Sequence, residues 1–204
     1  MKFILFAEGH TEKRALPAFL KRWLDPRLRE PVGLKVVRFE GWADYLHDIA
    51  KKVALHLDPP EGQDVIAAIG LIDLYGPTIY PSSHTSVAQR LSWGQAHFNS
   101  LVGNARFHQH FAVHETEAWL FSEPHIFPVN LPAGCTNPET IDSNRPPARL
   151  LNELYRTQLK RPYKKVVDGF NLFSRLAPDV AADRCPYLNL LLQDMLASAR
   201  SAGL

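Results

Sequence analysis

Four acids stand at the ends of apolar runs. Glu8 directly follows Lys2–Ala7 (KFILFA), Asp73 closes Asp64–Asp73 (DVIAAIGLID), and Glu115 and Glu117 lie just beyond Phe107–Val113. Each run has the length and composition of a buried parallel strand. Parallel strands deliver their C-terminal ends to one sheet edge, so acids far apart in sequence can converge there. Converging carboxylates repel unless they bind a cation or share protons, and an oxygen-only donor set suits Mg²⁺ or Mn²⁺ better than zinc. Such ions perform phosphoryl chemistry by polarising and orienting a phosphoryl oxygen. Glu12 and His114 stand beside these acids. Glu12 reads either as an assisting acid or as a first-turn residue complementing a helix dipole. His114 reads either as a polar residue closing a strand or as a metal ligand, general acid or phosphate donor.

The elements that must position these groups follow from periodicity and punctuation. Gly9 permits a sharp turn after the first strand, and Thr11 is the expected N-cap of a helix from Glu12 to Leu24, with Pro17 expected either to kink it or to leave it regular only beyond that residue. Leu34–Phe39 reads as a strand and Trp42–Leu57 as a helix with Tyr45, Leu46, Ile49, Val53 and Leu57 on its apolar side. A polar connection over 77–86 leads to a helix over 87–101, and Ala118–Phe121 reads as a buried helical turn, with Trp119, Leu120 and Phe121 in the core. Proline-rich sequence over 122–147 marks the end of the α/β core. Helices are predicted over 148–158, 163–176 and 187–199. The expectation is an α/β core over 1–122, with a mostly parallel, Rossmann-like sheet flanked by helices, and a helical extension over 123–204 packed on it.

Composition narrows the class. The chain has 204 residues, 46% hydrophobic and 22% charged, which excludes disorder and coiled coil as overall classes. No apolar run approaches the ~20 residues that span a bilayer, so a soluble, cytoplasmic protein without a membrane segment is expected. Cys135 and Cys185 are too few and too far apart for a disulfide framework or a zinc ribbon. The net charge of +2 names no partner, but its distribution is uneven. Between Arg145 and Lys165 lie seven basic residues and one acid, Glu153. Arg145, Arg149, Arg156, Lys160, Lys164 and Lys165 read either as a solvated helix face or as cations holding a phosphodiester backbone.

The string Glu8-Gly9-His10-Thr11-Glu12 resembles the EGxTE signature of Toprim-like domains, the metal-dependent catalytic core shared by topoisomerases, primases and OLD-type nucleases. Later segments widen the likeness to a family of bacterial Toprim-like proteins, some encoded beside ATPases in defence-type loci. Glu8 matches the first Toprim acid and Asp73 the first aspartate of an Asp-x-Asp pair. Tyr75 stands where the second aspartate would be, whereas Asp73, Tyr75 and Gly76 match the DxYG form of the closer family. His114-Glu115-Thr116-Glu117-Ala118-Trp119-Leu120-Phe121 resembles its HExEAxLF motif; Ala118 excludes the zinc motif HExxH. Arg145-Pro146-Pro147-Ala148-Arg149-Leu150, Tyr163-Lys164-Lys165, Asp168-Gly169 and Cys185-Pro186-Tyr187-Leu188 are similar to its PPSKRL, YxK, DG and CPxF segments, with Ala148 and Arg149 departing from the usual serine and lysine.

The resemblance implies a Toprim-like fold and Mg²⁺ or Mn²⁺ held by Glu8, Asp73 and Glu115 or Glu117. It implies a nuclease acting on DNA or RNA in antiviral defence, with an AAA or ABC-type ATPase as partner. A nucleotide or small phosphate is the alternative substrate. The competing reading is a non-catalytic adaptor of the ATPase, supported by Tyr75. No P-loop, nucleophile elbow, dinucleotide fingerprint or paired-cysteine motif points to another chemistry.

Overall fold

A computed structural model describes residues 1–132, 138–140 and 146–204. Arg145 and Cys135 lie outside the described residues. Strands β1 (Lys2–Ala7), β2 (Gly33–Arg38), β3 (Val65–Asp73) and β4 (Phe107–Ala112) form one sheet in the order β2-β1-β3-β4. All three pairings are parallel. The α/β architecture with a parallel sheet flanked by helices is therefore as expected.

Strand order and handedness together decide which face each helix covers. The chain leaves β1 toward β2 through α1 (His10–Leu24), then reverses direction to reach β3 through α2 (Trp42–Leu57) and β4 through α3 (Val87–Val102). Right-handed crossovers in opposite directions put α1 on one face and α2 and α3 on the other. Residues alternate accordingly. Ile4, Phe6 and Ile72 pack with Tyr45, Ile49 and Val53 of α2 and Leu91 and Phe98 of α3. Phe3, Leu5 and Leu71 face Leu16, Phe19 and Leu20 of α1. One helix cannot cover four strands, and the rest of that face is covered by the C-terminal segment. Leu188, Leu191, Leu192 and Met195 of α7 (Pro186–Ser201) join the same cluster. Asp194 of α7 also ties down the edge strand: His108 Nδ1 and His110 Nε2 each lie 2.8 Å from its Oδ2.

Several local expectations are corrected. Helix α1 opens at His10 with extended Gly9 as its N-cap, so Thr11 lies inside the helix and is buried. The helix continues through Pro17. Tertiary burial of Leu16, Phe19 and Leu20 outweighs the single backbone bond that proline removes. The helix expected over 163–176 is a π-helical turn, Lys165–Gly169, followed by the short α5 (Phe170–Arg175). Helix α6 (Pro178–Arg184) was not foreseen, because seven residues hold too little periodicity to announce a helix. Helix α4 spans Pro147–Leu159, and Thr116–Ser122 forms a wholly buried 3₁₀ segment that places Trp119, Leu120 and Phe121 in the core. No helix among the described residues is long and apolar enough to cross a membrane.

One buried polar contact pins the α2 side. The Tyr45 hydroxyl donates to Gln109 Oε1 at 2.7 Å across the face of β3, where only Gly70 leaves room. A Cβ at Gly70 would stand 2.2 Å from the Tyr45 oxygen and 2.5 Å from Gln109 Oε1. Gly70→Ala should therefore destabilise the fold by about 2–3 kcal/mol, by separating two buried polar groups and overpacking the sheet face. Thermal unfolding should show this as a melting point lower by roughly 4–12 °C; an unchanged melting point would refute the account.

Candidate active site

In a sheet of order β2-β1-β3-β4, chain direction reverses between β1 and β3, and the crevice of an open α/β sheet lies at that point, beyond the strand C-termini. Ala7 pairs with Leu71, and Asp73 is the last residue of β3. Glu8 and Asp73 thus emerge from neighbouring strands at the switch point. Glu115 and Glu117 arrive from the next strand over, since Asp73 pairs with Ala112 at the end of β4. Gly9 leaves room for the Glu12 carboxylate: a Cβ there would lie 2.2 Å from Glu12 Oε2.

The environment of these acids is unusual for idle surface charges. Burial raises the Glu8 carboxyl from its ordinary 4.5 to about 7; a hydrogen bond from the Asp73 backbone N–H and the charge of Lys165 oppose this, and Glu12 adds to it. Its Oε1 is buried without a hydrogen-bond partner. Asp73 retains some solvent access, yet its carboxyl is surrounded by protein. Its pKa is raised well above the ordinary value by burial first, then by Glu12, Glu8, Glu117 and Glu115. Glu117 is fully buried, and neither of its carboxylate oxygens has a hydrogen bond. Burial raises it to about 7, against the opposing charge of Lys165.

Glu139 shows what a buried structural acid looks like here. Its two oxygens accept from the Tyr187 and Leu188 backbone N–H groups at 2.9 and 3.2 Å, capping the N-terminus of α7. Glu8 Oε1 and both oxygens of Glu117 have no such account.

The remaining groups are held by specific contacts. Thr116 Oγ1 donates to Glu12 Oε1 at 3.0 Å, and the Ala148 backbone N–H donates to Glu115 Oε2 at 2.9 Å. Lys165 Nζ lies 3.3 Å from Glu117 Oε1 and 3.7 Å from Glu115 Oε1. Burial acts to lower the Lys165 pKa, but Glu117, Glu115, Asp73 and Glu12 together hold it above the ordinary value. His114 has a left-handed backbone (φ 68°), and its ring stacks on Tyr75 with centroids 4.7 Å apart and planes 9° apart. Asp73, Tyr75, Gly76, His114, Glu115 and Pro146 line a pocket of about 180 Å³.

The structure thus brings Glu8, Glu12, Asp73, Glu115 and Glu117 into one electrostatically coupled cluster, with His114 on its wall. Of the basic stretch, Lys165 enters the cluster. Lys160 instead donates to the Thr157 carbonyl at the end of its own helix, and Arg149 pairs with Glu153 at 3.4 Å. Arg156 and Lys164 are exposed. Arg161, in the same stretch, makes two 2.8 Å bonds to Asp168. The pairing of Lys165 with Glu115 and Glu117 had no sequence signal, because it depends on a turn folding back across the sheet edge. Oxygen donors with unsatisfied buried atoms fit a hard divalent cation. Among the described residues, however, no three His, Cys, Asp or Glu side chains form a ready-made metal cage.

Residues 7–196 match the family described as "Domain of unknown function (DUF4276)". The chain belongs to that family. Among curated proteins no sequence matches. Among solved structures, the C-terminal region of the Burkholderia pseudomallei OLD protein is similar at 17% identity and a TM-score of 0.47, covering 94% of this DUF4276 chain and 95% of that one.

The raised carboxyls carry a pH signature. Between the ordinary value of 4.5 and about 7, the folded protein holds protons on Glu8 and Glu117 that the unfolded chain has released. Their contribution to stability is therefore greatest at low pH and is lost as pH rises through about 7. In chelator, the wild-type melting point should fall more steeply than that of Glu117→Gln across this window. Parallel curves would show that Glu117 titrates normally.

Proposed function

We propose that the chain is a divalent-metal-dependent phosphoryl-transfer enzyme of Toprim type, a nuclease acting on DNA or RNA. The observation that carries this reading is the set of buried carboxylate oxygens without hydrogen bonds, Glu8 Oε1 and both of Glu117, beside Asp73 at the switch point. Burying a carboxylate oxygen without a hydrogen bond is costly, and a divalent cation is a compensation that an all-oxygen set suits.

In this reading Glu8, Asp73 and Glu117 or Glu115 hold Mg²⁺ or Mn²⁺, which when bound supplies Lewis-acid polarisation of a phosphoryl oxygen. Thr116 fixes Glu12, and the Ala148 N–H fixes Glu115, so both carboxylates are oriented in advance. Lys165 places a cation beside the pocket, where charge develops on a phosphoryl group. Stacking on Tyr75 holds the His114 ring at the pocket wall, within reach of proton transfer to a departing oxygen. Exposed Arg149, Arg156, Lys160 and Lys164 offer a sequence-independent surface for a polyanion. An AAA or ABC-type ATPase partner in a defence system belongs to the same reading.

The adaptor reading also has an observation in its favour: Lys165 already neutralises part of the acidic cluster, as it would in a vestigial site. Metal binding separates the two. A nuclease should gain thermal stability with Mg²⁺ or Mn²⁺, by about 2.7 kcal/mol at a hundredfold excess over Kd, and should cleave DNA or RNA only with metal. Glu8→Gln should abolish both effects. At pH 8 in chelator it should melt no lower than wild type, since it removes a desolvated charge from a repulsive cluster. Wild type that neither binds these ions nor cleaves with its ATPase partner present would leave the adaptor standing.

A further inference from the structure

We propose that Arg90 is a phosphate-recognition residue that holds a second phosphate beside the reacting one, which makes the substrate a polynucleotide rather than a small phosphate ester. The inference rests on the phosphoryl-transfer reading of the acidic cluster.

No acid near Arg90 in sequence balances its charge. Residues 74–114 contain no aspartate or glutamate. Arg90 sits in the first turn of α3, which has no acidic residue, so its charge adds to the positive end of the helix dipole instead of opposing it. A cation at that end is unfavourable, and an arriving anion would relieve it. The helix terminus itself is already satisfied by a capping box, in which Ser86 Oγ accepts from the Gln89 N–H at 3.2 Å.

The guanidinium is also held in one pose. Its Nε donates to the His84 carbonyl at 3.0 Å, and its central carbon lies 5.2 Å from the Tyr75 ring centroid and 5.4 Å from that of Tyr80. Two rings and a carbonyl thus fix the plane of the fork, so little side-chain entropy remains to be lost on binding.

Its two terminal nitrogens have no hydrogen bond or ion pair among the described residues. Three other arginines anchored by the fold differ. Arg22 uses its fork on the Phe173, Ser174 and Leu176 carbonyls, and Arg106 on those of Leu57, Gly62 and Val65. Arg161 uses its own on Asp168. Arg90 alone of these four keeps an oriented fork for another acceptor. Tyr75, one of its two rings, lines the acidic pocket with Asp73 and Glu115. The fork therefore lies one ring away from the pocket. A bidentate guanidinium beside a pocket-lining ring suits a phosphate next to the reacting one.

The test is binding, which needs no turnover. Fluorescein-labelled single-stranded DNA, the matching RNA and the duplex would be titrated with wild type, Arg90→Gln and Arg90→Lys by anisotropy, in chelator and in Ca²⁺, across a salt series. Arg90→Gln should bind about tenfold more weakly, with the slope of log Kd against log salt reduced by about 0.7 for a single strand or 0.9 for a duplex. Arg90→Lys should restore the slope but not the full affinity, because it keeps the charge and loses the fork. If wild type binds and Arg90→Gln matches it in affinity and slope, Arg90 does not recognise phosphate, while the nuclease reading stands. If Arg90→Gln proves misfolded, wild-type affinity in Arg90→Lys overturns the proposal by the same criterion. Wild type that binds no oligonucleotide in any condition overturns both this inference and the function it rests on.

Discussion

The organising constraint is electrostatic: several carboxylates are gathered at the one point of the sheet where topology opens a crevice, and their repulsion must be offset there. Burial and mutual repulsion push Glu8, Asp73 and Glu117 above their ordinary pKa values. Lys165 supplies the compensating charge from within the chain, lying 3.3 Å from Glu117 Oε1. The rest of the site adjusts to this tension. Thr116 holds Glu12, and the Ala148 N–H holds Glu115. Glu8 Oε1 and both Glu117 oxygens keep no hydrogen bond, so the cost of burying them is only partly offset within the chain.

The C-terminal segment belongs to this design as much as the strands do. Reversal of chain direction leaves α1 as the only helix of the β1–β4 core on its face, and apolar residues of α7 fill the remainder. The same segment brings Ala148 at the start of α4 and Lys165 at the π-helical turn back to the sheet edge. Packing and chemistry are thereby coupled: the elements that finish the hydrophobic core also carry the groups that tune the acids.

Tyr75 has a structural role of its own. Standing two residues after Asp73, it lines the pocket, stacks on His114 and lies against the Arg90 guanidinium. An aromatic ring at this position supplies a surface that orients an imidazole and a guanidinium. The pocket is consequently lined by two acids, Asp73 and Glu115, and by the stacked rings of Tyr75 and His114, with Arg90 against Tyr75.

The sequence by itself determined the strands, the α/β class and the position of each acid, because a buried parallel strand is a short apolar run and an acid at its end stands out against it. Glu8 and Asp73 were legible for that reason, and the basic stretch that includes Lys165 was visible as composition. Only the tertiary structure decided which groups act on one another. The pairing of Lys165 with Glu115 and Glu117, the use of Glu139 as a cap for α7, and the clamping of Arg90 between Tyr75 and Tyr80 all join residues from separate elements. The helix that continues through Pro17 was likewise settled by packing against the sheet face rather than by local preference. Periodicity reports the face that a residue turns toward the core, but a charge's partner depends on how the strand order folds distant segments onto one edge.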